Sequence, residues 1–311
     1  MKPSISINPD SPEITRELFR EMSEAGFGAV DFGLHPFYAY SHICNRIPSD
    51  FFDRSIEELE AYFTPHKQAA AEYGLEIGQT HAIFPTRVRG AGEHNDYLIG
   101  IIEKNIALTA FLGCRYIVVH PYIEVSRGPA ESKQFEHDEN IALYTALIPT
   151  AKKYGVTICL ENMFAGDGRK VVAATCFTAD EAAAYVDELN EIAGEERFAY
   201  CLDTGHATLC GLNTYDMIRT LGHRIKTLHM HDNQGIHDDH LQPYTGVAYW
   251  DWTLQALREV GYRGNINFET SAYAGVCGKL VPKKLRPVML RYIADVGHYF
   301  IEEVKGESYE S

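Results

Sequence analysis

The sequence predicts an α/β fold, a single (β/α)8 barrel, and three observations predict it. Short apolar runs alternate with longer segments of helical periodicity, about eight times over the 311 residues. Runs such as Tyr116–Val119 are continuously apolar, which is typical of parallel strands covered on both faces. No linker, low-complexity tract or charge run divides the chain, so residues 1–311 form one predicted barrel domain.

The apolar runs define the candidate strands. In chain order they are Ser4–Asn8, Ala29–Gly33, Leu75–Thr80, Tyr116–His120, Thr157–Glu161, Ala199–Asp203, Thr227–His231 and Asn265–Glu269. Eight such units without a change in composition favour a closed barrel, because a doubly wound sheet needs fewer units or a second domain.

The segments of helical periodicity lie between or after these strands. They are Thr15–Ala25, Ile56–Tyr73, Asp96–Leu112, Asn140–Tyr154, Ala179–Ile192, Tyr215–Leu221, Trp252–Val260 and Pro287–Val304. Several of them end in a glycine-containing turn that leads into the next strand, for example at Gly26, Gly74 and Gly155. Glycine just past the end of a helix is typical of such helix-to-strand connections.

Composition and charge exclude several classes of protein. The chain has 43 Asp and Glu against 28 Lys and Arg, a net charge of −15, which disfavours a nucleic-acid partner. No window approaches the roughly 18 apolar residues of a membrane span, and the first residues lack the apolar core of a signal peptide. The seven cysteines include no closely spaced pair of the metal-knuckle kind. We therefore expect a cytoplasmic protein with reduced thiols, Cys159 and Cys201 among them, that contacts no membrane.

Metal-capable side chains stand at the predicted strand ends, where a barrel of this kind carries its active site. Those at or just after a strand end are His81, His120, Glu161, Asp203, His229, His231 and Glu269. Three more follow in the next loops, namely His206, Asp238 and His240. Taken singly, each histidine or carboxylate has an ordinary structural explanation, such as a helix N-cap or a hydrogen-bonded core residue.

Taken together, four of these residues predict a divalent metal site. Glu161, Asp203 and Glu269 would repel one another at the barrel mouth unless a cation lay between them. With His229 they form a continuous arc over strands five to eight. Mixed carboxylate and imidazole ligands suit Mn²⁺, Co²⁺, Zn²⁺, Fe²⁺ or Mg²⁺, and the absence of a thiolate disfavours a purely structural zinc.

The segments that carry these residues resemble a known family. Leu160–Asn162, Leu202–His206, His229–Asn233 and Phe268–Glu269 occur in the order and strand positions of the xylose isomerase-like barrels. The chain is most similar to the sugar phosphate isomerase/epimerase family, which includes ketose 3-epimerases, hydroxypyruvate isomerase and inosose dehydratase. The segment Asp238–Pro243 is similar to that family's loop after the seventh strand, and the resemblance covers almost the whole chain.

The resemblance implies that Glu161, Asp203, His229 and Glu269 hold one divalent ion, namely Mn, Zn, Co or Mg. His206 matches a family histidine that binds substrate or a further metal. A second or third ion would use the additional candidates, which are His81, His120, His206, Asp238 and His240. The family's barrels commonly form homodimers.

The resemblance also implies a reaction. The metal would chelate a carbonyl and hydroxyl of a sugar, keto-sugar or polyol and stabilise an enediolate. Glu161 and Glu269 would remove and return the proton, in an isomerase, an epimerase or a related dehydratase. The candidates for holding the substrate are His231, Asn162, Asp232 and Trp252. For each of them a structural role is the alternative.

Two other functions remain open at this point. The endonuclease IV branch of the same superfamily has a trinuclear zinc site, and its nine ligands match all the metal candidates above apart from His231. The net charge disfavours this reading, since no Lys/Arg-rich loop follows a predicted strand and the densest basic stretch, Lys279–Arg291, lies around the last helix. A non-catalytic sugar-binding barrel is the second alternative, and retention of all four metal ligands argues against it.

Two positions depart from the ketose 3-epimerase pattern. Gly235 stands where those enzymes have an arginine, and Asp167 stands where they have a glutamate. The resemblance therefore implies the broader isomerase class rather than a ketose 3-epimerase in particular.

Overall fold

The computed structural model describes residues 1–124, 129–166, 171–270 and 282–306, and it confirms the barrel. The eight parallel strands are β1 (Pro3–Ile7), β2 (Ala29–Gly33), β3 (Glu76–His81), β4 (Tyr116–Val118), β5 (Thr157–Glu161), β8 (Phe198–Asp203), β9 (Ile225–His229) and β10 (Ile266–Phe268). Between β5 and β8 lies an antiparallel hairpin of β6 (Phe164–Gly166) and β7 (Val171–Ala173).

The eight strands form one parallel sheet that closes on itself. The order is β10-β1-β2-β3-β4-β5-β8-β9, so strands adjacent in the barrel are also consecutive parallel strands of the chain. Beyond the ends of β9 and β10, Met230 pairs with Phe268 in a parallel bridge. Met230 N donates to Asn267 O at 2.9 Å and Glu269 N donates to Met230 O at 3.1 Å. This bridge closes the barrel beside Glu269.

Helices form the outer layer in the described part of the chain. They are α1 (Pro12–Ala25), α2 (Tyr40–Cys44), α3 (Ile56–Glu72), α4 (Gly92–Phe111), α5 (Pro129–Tyr154), α6 (Ala179–Ala193), α7 (Thr204–Leu209), α8 (Thr214–Leu221), α9 (Trp250–Glu259) and α10 (Arg286–Lys305). The predicted starts follow local signals, as in α3, where Ser55 and Glu58 form a capping box. The large core lies between sheet and helices and includes Phe19, Phe32 and Phe268.

The barrel interior has a smaller apolar cluster of its own. Val118, Cys159, Ala199 and Cys201 pack together, with Tyr116 beside them. Cys159 and Cys201 are buried free thiols, as predicted, and every cysteine of the described ranges is free. No helix within the described ranges is long and apolar enough to cross a bilayer.

Four predicted strands end earlier than expected: β1 ends at Ile7 instead of Asn8, and the other three carry candidate site residues. His120, His231 and Glu269 were placed inside strands, but β4 ends at Val118, β9 at His229 and β10 at Phe268. Each backbone leaves the regular ladder before these residues, so their side chains stand in the loops of the barrel mouth. The hairpin β6–β7 and the short helices α2 and α7 were not predicted, because each is too short to show a periodicity.

Candidate metal centre

The predicted metal ligands meet at the carboxyl end of the barrel. A cavity of about 710 Å³ opens there, and seven of the candidates line it, namely His81, His120, Glu161, His206, Asp238, His240 and Glu269. Asp203 and His229 are fully buried beneath it. All the candidates for metal binding therefore belong to one site, in three overlapping groups.

The central group is the one predicted from the strand ends. Glu161, Asp203, His229 and Glu269 each offer one ligand atom, and these atoms lie within 4.8 Å of one another. His229 Nδ1 lies 3.2 Å from Glu161 Oε1 and 3.3 Å from Glu269 Oε2. The side chain of Glu161 is 2% exposed and that of Glu269 is 28% exposed, so Glu269 is the carboxylate on the open side.

A second group shares Glu161 with the first. His120 Nε2 lies 3.0 Å from Glu161 Oε2, and His81 Nε2 lies 3.0 Å from His120 Nε2 and 3.8 Å from Glu161 Oε2. The three ligand atoms again lie within 4.8 Å of one another. Glu161 thus has one oxygen directed at each group and could bridge two ions.

The third group is centred on Asp238, in the loop after β9. Asp238 Oδ2 lies 2.9 Å from His240 Nε2 and 3.6 Å from His206 Nε2. Beside it, His231 Nε2 lies 3.2 Å from Asp203 and stacks on His240 with ring centroids 4.2 Å apart. This loop reaches the site because its ends are tied together by Asp232 and Leu241, which exchange two backbone hydrogen bonds.

Asp203 is positioned by the turn from β8 into α7. It is the N-cap of α7, and its Oδ1 accepts a hydrogen bond from His206 N at 2.6 Å. The backbone of Asp203 is held by Asn162, whose amide both donates to Asp203 O and accepts from Asp203 N at 2.8 Å. Next to it, a Cβ added to Gly205 would lie 1.9 Å from the ring of His231, so only glycine allows that ring to approach.

Four histidines have one ring nitrogen committed to a protein oxygen. His81 and His206 donate through Nδ1 to the carbonyl oxygens of Ala82 and Asn162, both at 2.8 Å. His240 Nδ1 donates to Glu269 O at 2.7 Å, and His229 Nε2 donates to a carboxylate on β2 at 3.1 Å. In each ring the other nitrogen faces the carboxylates of the centre. This arrangement of imidazoles is the usual one around a bound metal.

The residues present fit a metal ion. Glu161 Oε2, His229 Nδ1 and Asp238 Oδ1 are buried and make no hydrogen bond in the described part of the chain. A neutral imidazole nitrogen that faces a carboxylate oxygen presents one lone pair to another, and this repulsion is relieved only by a cation or a proton. The imidazole and carboxylate donors of the central group suit a divalent ion of the Mn, Zn, Co or Mg kind. Cys201 Sγ also lies within 4.8 Å of ligand atoms of Glu161 and His229, and burial raises the pKa of this thiol to about 12.

The pKa values of the side chains in the centre also reflect the close contact between imidazoles and carboxylates. Although burial opposes ionisation, the imidazoles of His229 and His120 hold the pKa of the Glu161 carboxyl well below its ordinary value. Burial lowers the pKa of His206 and His240, but the carboxylates of Asp203 and Asp238 outweigh it and raise both values to about 10. Without a metal, therefore, protons supply the positive charge that the carboxylates require.

The residues proposed to hold substrate are placed differently from one another. His231 is fully buried against Asp203, and Asn162 is committed to the backbone of Asp203. Asp232 is also fully buried and accepts from Trp250 Nε1 at 3.2 Å and from two backbone amides. Trp252 is 51% exposed and stacks on Tyr249. None of the four lines the cavity, so their contact with substrate stays a prediction.

Of the two residues that depart from the epimerase pattern, the structure describes one. Gly235 lies in the loop after β9 with a φ of 75°, a backbone conformation that favours glycine over arginine. Asp167 lies outside the described residues. The basic stretch Lys279–Arg291 lies partly outside them, and none of its described residues lines the cavity.

The cavity lining also includes residues that were not predicted, among them one histidine and two arginines. His35, just after β2, lines the cavity and packs against His81 with ring centroids 5.2 Å apart. Its position after a strand end was the signal that could have revealed it. Arg87 and Arg89, in the loop after β3, also line the cavity, although no basic loop was expected at the mouth.

Comparison with known proteins identifies the family of the chain. Residues 19–301 match the model of the family described as xylose isomerase-like TIM barrel. The chain belongs to this family. One curated relative is the uncharacterized protein MJ1311 of Methanocaldococcus jannaschii, which is 30% identical over 161 residues, 51% of each chain. The chain thus spans about half the length of that relative.

Two further comparisons represent the two branches of the superfamily. The probable endonuclease 4 of Shouchella clausii is 26% identical over 241 residues, which cover 74% of this chain and 75% of that protein. The crystal structure of a D-tagatose 3-epimerase-like protein superimposes with a TM-score of 0.67 at 19% identity, covering 99% of both chains. At that identity the structural similarity establishes the fold.

Proposed function

We propose that the chain is a divalent-metal-dependent isomerase or epimerase that acts on a sugar, keto-sugar or polyol. It would remove a proton from the carbon next to a carbonyl and return a proton to the neighbouring carbon, as an isomerase, or to the same carbon, as an epimerase. The observation that carries the proposal is the central group. Glu161 Oε1 and Glu269 Oε2 lie 3.2 and 3.3 Å from His229 Nδ1, and both carboxylates line the cavity. Structural neighbours from the family include 3-epimerases of D-psicose and D-tagatose type, which agrees with this chemistry.

Glu161, Asp203, His229 and Glu269 would hold the ion. When bound, a divalent ion supplies Lewis-acid polarisation of a substrate carbonyl and offsets negative charge that develops there. Further ions would be held at the other two groups by the donor atoms of His81, His120, His206, Asp238 and His240.

The two glutamates would carry the proton. Glu269 is the more accessible carboxylate, with 28% exposure, and Glu161 is 2% exposed. Two carboxylates in one site would allow one residue to accept a proton from a carbon of the substrate and the other to donate one. Acid–base help of this kind contributes about 10²–10⁴-fold to a rate.

The cavity suits a small polar molecule with an apolar face. Its volume of about 710 Å³ lies in the range of small-molecule sites. Aromatic side chains form part of its wall, namely Phe84, Tyr122 and Phe164. Phe84 packs against His120 with ring centroids 5.0 Å apart, and Phe164 packs against His206 at 4.8 Å. Sugar hydroxyls would therefore meet the metal centre while the ring or chain carbons meet aromatic surface.

A second candidate function is a multinuclear phosphoesterase of the endonuclease IV kind. The observation in its favour is the set of two extra donor groups around Glu161 and Asp238, together with the 26% identity to a probable endonuclease 4. The net charge of −15 disfavours a nucleic-acid substrate. Metal stoichiometry separates the functions, since one ion per chain favours the isomerase and three favour hydrolysis.

The proposal is tested by hydrogen exchange at carbon. The protein, loaded with Mn²⁺, Co²⁺, Zn²⁺ or Mg²⁺, is incubated in D2O with a panel of ketoses, aldoses and oxidised polyols that carry a carbonyl, and deuterium incorporation at carbon is followed by NMR. Glu269→Gln should lower the exchange rate at least 100-fold, whereas Glu93→Gln on the exposed start of α4 should leave it unchanged. Undiminished exchange by Glu269→Gln would refute the role of this carboxylate.

A further inference from the structure

The loop that follows β3 brings positive charge to the cavity of the metal centre. Arg87 and Arg89 are the only Lys or Arg side chains among the described residues that line it. The other ionisable side chains in that lining are histidines, acids, Tyr and Cys. In a chain with a net charge of −15, two arginines two residues apart at this position call for a functional explanation.

This loop is fixed with respect to the metal centre. Asn95 accepts a hydrogen bond from Val88 N at 2.7 Å and donates to Val88 O at 3.0 Å, so the backbone between the two arginines is clamped. Thr86 Oγ1 donates to the carbonyl oxygen of His120 at 3.0 Å. Arg87 directly follows Thr86, whose hydroxyl contacts the backbone of the candidate ligand His120. The distance between Arg87 and the metal centre is therefore one that a small substrate can span.

Each guanidinium group lies near a glutamate carboxylate, and Arg87 is the closer and more buried of the two. Arg87 Nη2 lies 2.6 Å from Glu139 Oε2, and Arg89 Nε lies 3.5 Å from Glu124 Oε2, which also accepts from Tyr122 Oη at 3.0 Å. A guanidinium carries five N–H donors, and a single carboxylate engages at most two of them. Arg87 Nε is buried and makes no hydrogen bond in the described part of the chain, so Glu139 positions Arg87 while leaving it a donor for a second acceptor.

The arginines stand where the main cavity meets a smaller one. A side pocket of about 230 Å³ shares Arg87, Val88, Arg89 and Tyr122 with the main cavity. The main cavity is also lined by Glu161 and Glu269, so it connects the central group with this junction.

We propose that Arg87 and Arg89 bind an anionic group, a phosphate or a carboxylate, on the small-molecule substrate of this site. The inference rests on the proposed function, because it assigns a binding site to the other end of the same substrate. It makes the substrate a sugar phosphate or a sugar acid rather than a neutral sugar. Arg forks match the oxygen geometry of both groups, and Glu124 and Glu139 beside them disfavour the polyanionic backbone of a nucleic acid.

The test measures binding of inorganic phosphate and of acetate to the metal-loaded protein by calorimetry. The double variant Arg87→Gln/Arg89→Gln should bind the preferred anion at least 10-fold more weakly, with unchanged metal content and unchanged circular dichroism. Arg115→Gln, an exposed arginine just before β4 at the other end of the barrel, is the matched control and should bind as the wild type does. Tighter binding of phosphate identifies a phosphate group, and tighter binding of acetate identifies a carboxylate. Equal affinity in the wild type and the double variant would overturn the proposal.

A metal centre can itself bind phosphate, so Asp203→Asn is measured in parallel. Loss of anion binding in Asp203→Asn together with full binding in the double variant would assign the anion to the metal and overturn the proposal. The opposite pattern supports the arginine site even if no sugar is isomerised, which separates its failure from that of the proposed function. As a second measurement, the wild type should bind D-fructose 6-phosphate or D-gluconate at least 10-fold more tightly than D-fructose, and the double variant should lose this preference. Tighter binding of duplex DNA with an abasic site than of either sugar anion would overturn it.

Discussion

Asp31 Oδ2 lies 3.1 Å from Nε2 of His229 and accepts its hydrogen bond inside the barrel. The same oxygen accepts from Ser6 Oγ at 2.9 Å and from Gln79 Nε2 at 3.3 Å, so the carboxylate is fixed by three donors. Because Nε2 of the imidazole is committed to β2, Nδ1 is turned towards Glu161 and Glu269. Asp31 is therefore a positioning residue for the metal centre, one that no metal-ligand spacing in the sequence marks.

This relationship predicts the effect of Asp31→Asn. The amide cannot accept from all three donors in the same way, so His229 loses its preferred tautomer and orientation. Loss of such a partner typically lowers metal affinity about 10–100-fold. Calorimetric titration of the metal-free variant with Mn²⁺ or Zn²⁺ measures this, with exposed Asp96→Asn as the control. Unchanged affinity in Asp31→Asn would show that the contact does not position His229.

The tight packing of Gly205 predicts a contrast between two glycine substitutions. Gly205→Ala places a Cβ against the ring of His231 and should destabilise the protein by about 1–3 kcal/mol, the typical cost of overpacking. Gly100→Ala, within α4 and with open space around it, should stabilise by about 0.5–1 kcal/mol. Denaturant unfolding of both variants measures the difference, and equal stability of the two would contradict the packing described here.

The different burial of the two tryptophans predicts that the same substitution changes the free energy of unfolding much more at one position than at the other. Trp250 is 2% exposed and its Nε1 donates to buried Asp232, so Trp250→Ala should cost about 3–5 kcal/mol. Trp252 is 51% exposed and lies outside the cavity, so Trp252→Ala should change stability by no more than about 0.5 kcal/mol. Thermal or urea unfolding gives the first comparison. A large loss of exchange activity in Trp252→Ala would show that it contacts substrate.

The raised pKa values of His206 and His240 predict that metal uptake releases protons. Both values are about 10 because of Asp203, Asp238 and the neighbouring carboxylates, so these rings are protonated in the metal-free protein at neutral pH. Any ion that engages them must displace protons, and its apparent affinity must rise with pH up to about 10. Titration in two buffers of different ionisation enthalpy counts the protons released per ion. No release at pH 7.5 would mean that His206 and His240 stay outside the metal shell.

The sign of the stability effect follows from the same values. A histidine whose folded-state pKa is raised stabilises the folded protein fully below about 6.5, its unfolded value. That contribution is lost as the pH rises towards 10. The metal-free protein should therefore lose unfolding free energy between pH 6.5 and 10, and the metal-loaded protein should lose less. Thermal unfolding at several pH values compares the two forms.

The sequence predicted the helices and strands that show a clear hydrophobic pattern, and it predicted the approximate ends of those strands. Continuous apolar runs located β2, β5 and β8 closely, and the rule that a barrel's site lies at strand ends located Glu161 and Asp203. The ends of β4, β9 and β10 were placed one or two residues too late, because a histidine or carboxylate after an apolar run does not reveal where the ladder stops. Those residues still reach the mouth, which is why the predicted metal candidates meet in one site.

Contacts between distant segments could not be read from the sequence. Asp31 meets His229 across the barrel interior, from strands that are not neighbours in the sheet. Arg87 and Arg89 reach the cavity because Asn95 and His120 hold their loop, and no periodicity marks such a loop. Trp252 is a predicted sugar-stacking residue because it follows the loop after β9, and the phase of α9 buries Trp250 and exposes Trp252.

The most direct test of the central claim is the rate of solvent-deuterium incorporation into a sugar by the same protein sample before and after metal removal. The metal-reconstituted protein should exchange the hydrogen next to the carbonyl of at least one keto-sugar, or of its phosphate or acid. Chelation should abolish the exchange, and one equivalent of Mn²⁺, Co²⁺, Zn²⁺ or Mg²⁺ should restore it. Full exchange by the chelated protein would contradict a metal centre built from Glu161, Asp203, His229 and Glu269.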